Sequence, residues 1–527
     1  MRTIPPSATM GGMSRSKLPI GIQTFREIRE EGAYYVDKTG LAVDLVGAGK
    51  TVFLSRPRRF GKSLFVDTLK ELFEGNRDLF SGLAAEDRWD WSVRYPVIRI
   101  DFASMDIRTP EDLVAGVEDQ LLPLESRVPG HVPRGQMGRR LRHLIQALRA
   151  HAGQRVVVLV DEYDKPILDQ LERPELAREM REALRGLFGV LKGADADLKF
   201  VFLTGVSKFS KVSLFSGLNQ LRDITLEPRW SALCGYTQHD LETVFAPELE
   251  GVDLEAVRLW YNGYNWGGTA VYNPFDVLLF LESRQFRPYW FETGTPTFLV
   301  DLLARRGFFT PDLVARRARA EILSAFDVEN IEPEALLWQT GYLTIHDTRE
   351  IATGSWLYTL GYPNREVEAS LNLSLLPALG QTQGVASDLT VQLTESLLAG
   401  DSDALQAATR RLFASIPHDW MRNNPFARFE GYYASVFYSH LAALGLDLRV
   451  EDATNRGRID LTLRVPGRVY VFEFKVVDGQ PEGKAMAQIR AKGYGDKYKQ
   501  SGTNVMLVAI EFSRVERNVV AFEVAAG

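Results

Sequence analysis

Nine residues, Ser55-Arg56-Pro57-Arg58-Arg59-Phe60-Gly61-Lys62-Ser63, lie between an apolar run, Thr51-Val52-Phe53-Leu54, and a stretch whose Leu64, Phe65, Thr68, Leu69, Leu72 and Phe73 share one helical face. A strand, a loop closing on Gly-Lys-Ser and a helix together form a phosphate cradle. Loop and helix amides point at the anion, Lys62 reaches its terminal phosphates, and the Ser63 hydroxyl binds magnesium. Arg58, Arg59, Phe60 and Gly61 complete the nucleotide-binding stretch. One position departs from the GxxxxGK(S/T) pattern: Arg56 stands where glycine is usual, which restricts the turn and brings a cation near the triphosphate. Gly49-Lys50-Thr51 repeats part of the signature, but it precedes a strand, so its amides join a ladder and cannot wrap an anion.

A second group of acids supports the first. Val156-Val157-Val158-Leu159-Val160 is a buried strand that ends in Asp161 and Glu162, one carboxylate to hold magnesium and one to polarise the attacking water. Acids at strand ends sit where open α/β sheets bind ligands. Thr204 ends the run Lys199-Phe200-Val201-Phe202-Leu203 and offers a hydroxyl beside the γ-phosphate. Arg58, Arg59 and Arg222 are candidates to neutralise phosphate charge, with a surface ion pair as the alternative for each.

A third group lies near the C-terminus. Arg458 to Val465 and Val469 to Val476 alternate with period two about a Pro466-Gly467 turn. Closing the hairpin symmetrically puts Asp460 opposite Glu473, with Lys475 on the same face and Ile459, Leu461, Leu463, Phe472 and Phe474 pointing into the core. Two like charges face to face repel unless a divalent cation with a taste for hard oxygen, such as Mg2+, lies between them. Lys475 then orients a water and stabilises charge on a phosphate. Glu430 is a further metal ligand candidate, Gln488 a group that positions water or substrate, and Lys492 a phosphate contact. The alternative is a solvated hairpin face on which Lys475 neutralises Glu473.

The elements that position these groups divide the chain. Its 527 residues are 45% hydrophobic and 25% charged, with 43 Gly and 24 Pro, which is globular usage and length enough for two to four domains. Residues 1–17 read as a flexible tail. Residues 18–230 read as a P-loop NTPase domain with a mostly parallel sheet, 231–420 as a mainly helical lid or connector, and 421–527 as a compact α/β unit. No apolar run of about 18 residues and no secretory h-region are present, so a cytoplasmic protein without a membrane partner is expected. The single cysteine, Cys234, makes neither an internal disulfide nor a Cys-rich zinc site. A net charge of -6 gives no global pull toward phosphate backbones, so nucleic acid requires a local basic patch. The seven His show no ligand spacing, and Tyr261-Asn262-Gly263-Tyr264-Asn265-Trp266-Gly267-Gly268 reads as aromatic loop packing, with base stacking as its alternative.

SRPRRFGKS (55–63), VDEYDKP (160–166) and TGVSKFSKVSLFSGLNQLRDIT (204–225) resemble the AAA-ATPase-like family, whose phosphate loop also begins with Arg. VYNPFDVL (271–278), WFETGTPTFL (290–299), LLWQTGYLTI (336–345) and LGYPNREV (360–367) resemble the same proteins. The Asp460, Glu473-Phe474-Lys475 pattern is similar to the PD-(D/E)xK nuclease superfamily, with Ile459 where proline is usual. The resemblance implies a restriction-endonuclease-like C-terminal α/β domain, with ATP and Mg2+ as cofactors. DNA or RNA would be the polymer cut, and a homo-oligomer would be the form in which a neighbour's arginine completes the triphosphate site. The expected function is a magnesium-dependent nuclease coupled to an ATP-driven switch. The alternatives are a non-cleaving ATP-dependent regulator or scaffold and a triggered defence effector.

Overall fold

The apolar runs of the N-terminal half become strands that hide both faces from water. In the computed structural model, which describes residues 15–208, 220–294, 313–320, 332–379, 383–415, 430–454, 457–499 and 503–527 with Leu299, Leu303 and Leu323, these strands build one sheet. They are β1 (Thr51–Ser55), β2 (Val97–Asp101), β3 (Val156–Asp161), β4 (Leu198–Gly205) and the short β5 (Arg222–Asp223), in the order β2-β3-β4-β1-β5. All neighbours are parallel. Parallel strands need crossover helices, which cover both faces, and every residue of β1 and β3 is buried.

Helix α1 (Lys62–Phe73) starts directly after the loop and packs Phe65 against Phe202 of β4, ring centroids 5.6 Å apart. Helix α2 (Pro110–Glu125) is fixed at its start by a reciprocal cap between Thr109 and Asp112. Helices α3 (Met137–Ala152) and α4 (Pro174–Gly193) meet at Gly138 and Gly186. A Cβ on Gly138 would lie 2.6 Å from the Gly186 carbonyl, so only glycine permits this approach. Farther along, α5 (Pro274–Ser283) is capped by Asn273 and packs Val277 and Phe280 with Tyr34, Val257 and Tyr261.

The chain divides into two compact units, Met1–Trp290 with Glu321–Gly341, and Phe291–Ala320 with Tyr342–Gly527. The second unit holds a small antiparallel sheet of β6 (Arg316–Arg319), β7 (Thr344–Ala352) and β8 (Ser355–Gly361), in the order β6-β8-β7. Helices α6 (Arg365–Leu375), α7 (Gln383–Ala399), α8 (Ser402–Ala414) and α9 (Glu430–Ala442) follow. The chain ends in a mixed sheet of β9 (Asp447–Thr454), β10 (Gly457–Val465), β11 (Arg468–Val477), β12 (Asn504–Ser513) and β13 (Val519–Ala526), with α10 (Lys484–Lys492) between β11 and β12. The β11–β12 pair is parallel and its neighbours are antiparallel.

This second sheet is also buried on both sides. Leu461, Leu463, Phe472, Phe474 and Phe512 pack with Tyr433 and Phe437 of α9 on one face. On the other, Val469, Val471 and Leu507 pack with Ala485, Met486 and Ile489 of α10. Among the described residues no helix is long and apolar enough to cross a membrane.

His440 of α9 is fully buried, its Nδ1 3.0 Å from the Thr390 hydroxyl, and burial pushes the imidazole down to about 4. The unfolded chain takes up a proton near the ordinary value of 6.5, whereas the folded chain resists until about 4. Stability from this group is therefore complete above 6.5 and is lost as pH falls toward 4. Urea titrations between pH 7 and 4 are expected to show a loss of roughly 3 kcal/mol that His440→Gln lacks. Parallel pH profiles for the two proteins would contradict a neutral buried imidazole.

Candidate functional site

The loop between β1 and α1 takes its shape from two left-handed residues, Arg59 at φ 67° and Gly61 at φ 86°. Lys62 is buried and its ammonium donates to the carbonyls of Arg56 at 3.0 Å and Pro57 at 2.9 Å. The Arg58 and Arg59 side chains are exposed, with the Arg59 guanidinium 4.9 Å from the Phe275 ring centroid. Phe60 turns inward instead, against Tyr264 at 4.7 Å and Trp266 at 5.5 Å, so only its main chain faces the loop. The aromatic segment 261–268 is packing, as its composition suggests. Lys50 of the decoy sequence pairs with Asp195 at 2.9 Å, and its carbonyl joins the ladder through Val201.

Arg56 corrects an expectation. Its guanidinium does not approach a triphosphate: it is fully buried, bonded to the carbonyls of Ser55 (2.8 Å), Thr225 (3.1 Å) and Trp230 (3.1 Å) and lying 4.1 Å from the Trp266 ring centroid. Desolvation pushes it down to about 10, with Cys234 and Asp223 opposing. A planar fork can serve several carbonyls at once, which an ammonium cannot match. Arg222 likewise makes a surface pair with Glu227 at 2.6 Å.

Asp161 ends β3 beside Asp101 of β2, its partner in register. It is fully buried, and desolvation pushes its carboxyl up to about 6. The Ser63 hydroxyl and the Lys62 ammonium oppose this shift, and the charges of Asp101 and Glu162 add to it. Asp161 Oδ2 and Thr204 Oγ1 are buried without a hydrogen-bond partner among the described residues. The buried Asp161 carboxylate and the Ser63 hydroxyl beside it are hard oxygen donors, a set that fits magnesium. Glu162 follows at φ 48°, a backbone conformation that L residues adopt only when their surroundings hold them there.

One contributor was not singled out from the sequence. Asp164 is buried and accepts from Val206 N at 3.0 Å, Ser207 N at 2.5 Å and Ser207 Oγ at 2.7 Å, fixing the chain as it leaves β4. A Cβ on Gly205 would lie 2.3 Å from Asp164 Oδ1, so glycine is required there. The clue was the second Asp of Val160-Asp161-Glu162-Tyr163-Asp164.

In the second unit the hairpin closes in the expected register, Val465 opposite Arg468 through Leu461 opposite Phe472, and the ladder stops one pair short of Asp460 and Glu473. Asp460 Oδ2 accepts the Phe474 amide at 2.8 Å, a side chain standing where a ladder carbonyl would be. Ile459 consequently leaves the face of Leu461 and Leu463 and packs with Val471 and Ile489, contrary to the simple alternation.

Glu473 is fully buried under α10, and the Lys475 ammonium lies 3.2 Å from its Oε1, to which the Gln488 amide also donates. The helix thus covers Glu473, while Asp460 and Lys475 on the same face are half-buried. Tyr494, which sequence reading missed, joins the group. Burial and then the Glu473 charge push its hydroxyl up, a hydrogen bond with Gln488 opposes, Asp460 adds to the rise and Lys475 opposes it. Lys492 stands exposed at the end of α10. Glu430 opens α9, but its side chain lies outside the described residues, among which no cluster of three or more His, Cys, Asp or Glu is arranged for a metal. Asp460 and Glu473 supply hard carboxylate oxygens, a donor set that fits magnesium.

Two stretches of the chain match known families. Residues 19–215 match the AAA-ATPase-like family, described as "Predicted AAA-ATPase", and residues 428–522 match the PD-(D/E)XK nuclease superfamily. The chain is 57% identical over 513 residues to an uncharacterized protein in the vnfD 5′ region of Azotobacter chroococcum mcd 1, an alignment covering 97% of this chain and 99% of that one. It belongs to the family of AAA-ATPase-like proteins that carry a C-terminal PD-(D/E)XK nuclease superfamily domain.

Arg56→Met would leave three carbonyls without their donor in a dry place, and a loss of roughly 3 kcal/mol is expected. Arg56→Lys should recover only part of it. Chemical denaturation checks both, and a methionine variant as stable as the parent would show that the fork is dispensable.

Proposed function

We propose that this chain is a magnesium-dependent nuclease whose phosphodiester-cutting site is governed by ATP at the phosphate loop. One observation carries the reading: in each unit a carboxylate wholly withdrawn from water, Asp161 or Glu473, stands on a strand beside a lysine, an arrangement that a bound cation and phosphate would complete. Membership in an ATPase-like and a nuclease superfamily supports it.

At the first site Lys62 exchanges the Arg56 and Pro57 carbonyls for the β- and γ-phosphates, while Ser63 and Asp161 hold Mg2+. Gly61 and the Phe60 main chain wrap the anion, and Arg58 and Arg59 spread its charge. Thr204 and Glu162 face the attacking water, and Glu162 takes its proton as the water oxygen bonds to the γ-phosphorus and the bond from that phosphorus to the bridging oxygen breaks, releasing the diphosphate. At the second site Asp460 and Glu473, with Glu430, hold Mg2+, which supplies charge neutralisation at the scissile phosphate. Lys475 releases Glu473 and, with Gln488, orients a water toward phosphorus. The new bond from the water oxygen to phosphorus forms as the ester P–O bond breaks, and the proton that the water loses passes to the leaving oxygen. DNA or RNA is the polymer, the cytoplasm the place, and further copies of the chain a source of arginine for the triphosphate.

Cleavage of labelled single- and double-stranded DNA and RNA, with Mg2+ and with or without ATP, tests this. Asp460→Asn keeps an acceptor for the Phe474 amide, yet it should lower cleavage on the order of a hundredfold or more. Lys62→Ala should keep basal cleavage and lose the response to ATP. Full cleavage by folded Asp460→Asn would sink the nuclease assignment, and an unchanged ATP response in Lys62→Ala would sink the switch.

A further inference from the structure

The second unit presents a sheet face that the roles above leave unused. Across β6, β8 and β7 the paired residues form rows: Arg317 with Thr359 and Asp347, then Arg319 with Leu357 and Arg349. Paired residues stand on the same side of a sheet, and so do alternate residues of one strand, so both rows share a face. Arg317, Arg319, Asp347 and Arg349 are exposed there, and Leu357 and Thr359 are half-buried. The other side takes Ala318, Leu360 and Ile345, all buried, and a register shift between Ile345 and Asp347 lets β7 pass from one face to the other.

The charges on this face decide what it can hold. Three guanidinium groups stand there against one carboxylate, and among the described residues none of the three arginine side chains makes an ion pair or a hydrogen bond. Other exposed arginines are engaged, Arg222 with Glu227, Arg258 with Glu255 and Arg514 with Asp478. In a chain of net charge -6, a local excess of unengaged cations is complementary to a polyanion. The guanidinium fork matches phosphate oxygens two at a time. Arg317 and Arg319 are two residues apart on one strand, roughly 7 Å, and Arg319 and Arg349 are two strand spacings apart, roughly 10 Å. Groups spread in this way meet separate phosphates of a polymer and do not converge on one small anion.

Apolar groups among the cations narrow the choice of polymer. Leu357 lies between Arg319 and Arg349 in its row, and at the hairpin end of the sheet Ile351 is 49% and Trp356 41% exposed. A duplex keeps its base faces stacked on one another, so it would use the arginines and leave these groups wet. A single strand has free base faces, which pack on aromatic, apolar and guanidinium surfaces while its phosphates take the charges. The face belongs to the same compact unit as Asp460 and Glu473.

We infer that this sheet face binds single-stranded nucleic acid and holds the polymer for the carboxylate site. As substrate docking, the inference rests on the nuclease reading above. Binding of the full chain to labelled single-stranded DNA, single-stranded RNA, duplex DNA and polyglutamate, measured without divalent metal over a range of salt, tests it. Arg317→Gln/Arg319→Gln/Arg349→Gln should bind single strands at least about tenfold more weakly at about 0.1 M salt, with the slope of log affinity against log salt shallower by about two. Arg349→Gln alone should change the slope by about 0.7. Arg127→Gln/Arg134→Gln/Arg139→Gln removes as many exposed cations from the first unit and should keep the parent's affinity and slope. The urea midpoint of each variant reports that it has folded. Parent affinity in the folded sheet variants would overturn the inference, as would an equal loss in the first-unit variant, or binding of duplex DNA or polyglutamate by the parent as tight as that of single strands. Asp460→Asn that binds and cuts like the parent would instead overturn the nuclease reading beneath it.

Discussion

A carboxylate taken entirely out of water must be compensated where it stands, and both units are organised around that requirement. Asp161 and Glu473 each sit at zero exposure on a strand whose faces are covered by helices. An uncompensated charge in such a place would be expelled or neutralised. Around Asp161 the compensation comes from Ser63 and Lys62, delivered by the first turn of α1; around Glu473 it comes from Lys475 on the same strand and Gln488 on α10. The placement of the helices therefore follows from electrostatics as much as from apolar burial.

The backbone bears a related load. Glu162 and Arg59 occupy left-handed conformations next to the functional groups, and Asp164 fixes the exit of β4 with three hydrogen bonds. Local strain of this kind persists only where the surroundings determine the geometry. Arg56 is part of those surroundings, since it ties the start of the loop to Thr225 and Trp230.

Much of this was legible in the sequence because the signals are local. The strand, loop and helix around Lys62, the acids after β3 and the register of the β10–β11 hairpin each depend on residues a few positions apart, and each took the form expected. The direction of Arg56 was not legible, because its partners lie about 170 residues away. Ile459 defied alternation because Asp460 bonds to the Phe474 amide with its side chain, a competition between side chain and ladder that periodicity does not register. Tyr494 was hidden by the turn at Gly493, φ 58°, which brings it back toward the carboxylates. The sheet of β6 to β8 escaped notice because β7 is mostly exposed and lacks an apolar face.

The division of the first unit into two stretches of chain governs the order in which it can be finished. Glu321–Gly341 returns to this unit after thirty residues that belong to the other. It carries Gln339, which accepts the Lys208 amide at 3.0 Å, and Gly341, whose absent Cβ leaves room for Pro57 of the phosphate loop. On the ribosome, the loop stays without that support until residue 341 has emerged. By then the first strand of the second unit has also left the tunnel. The two units cannot mature strictly one after the other, and a chain cut after Trp290 lacks part of the first unit.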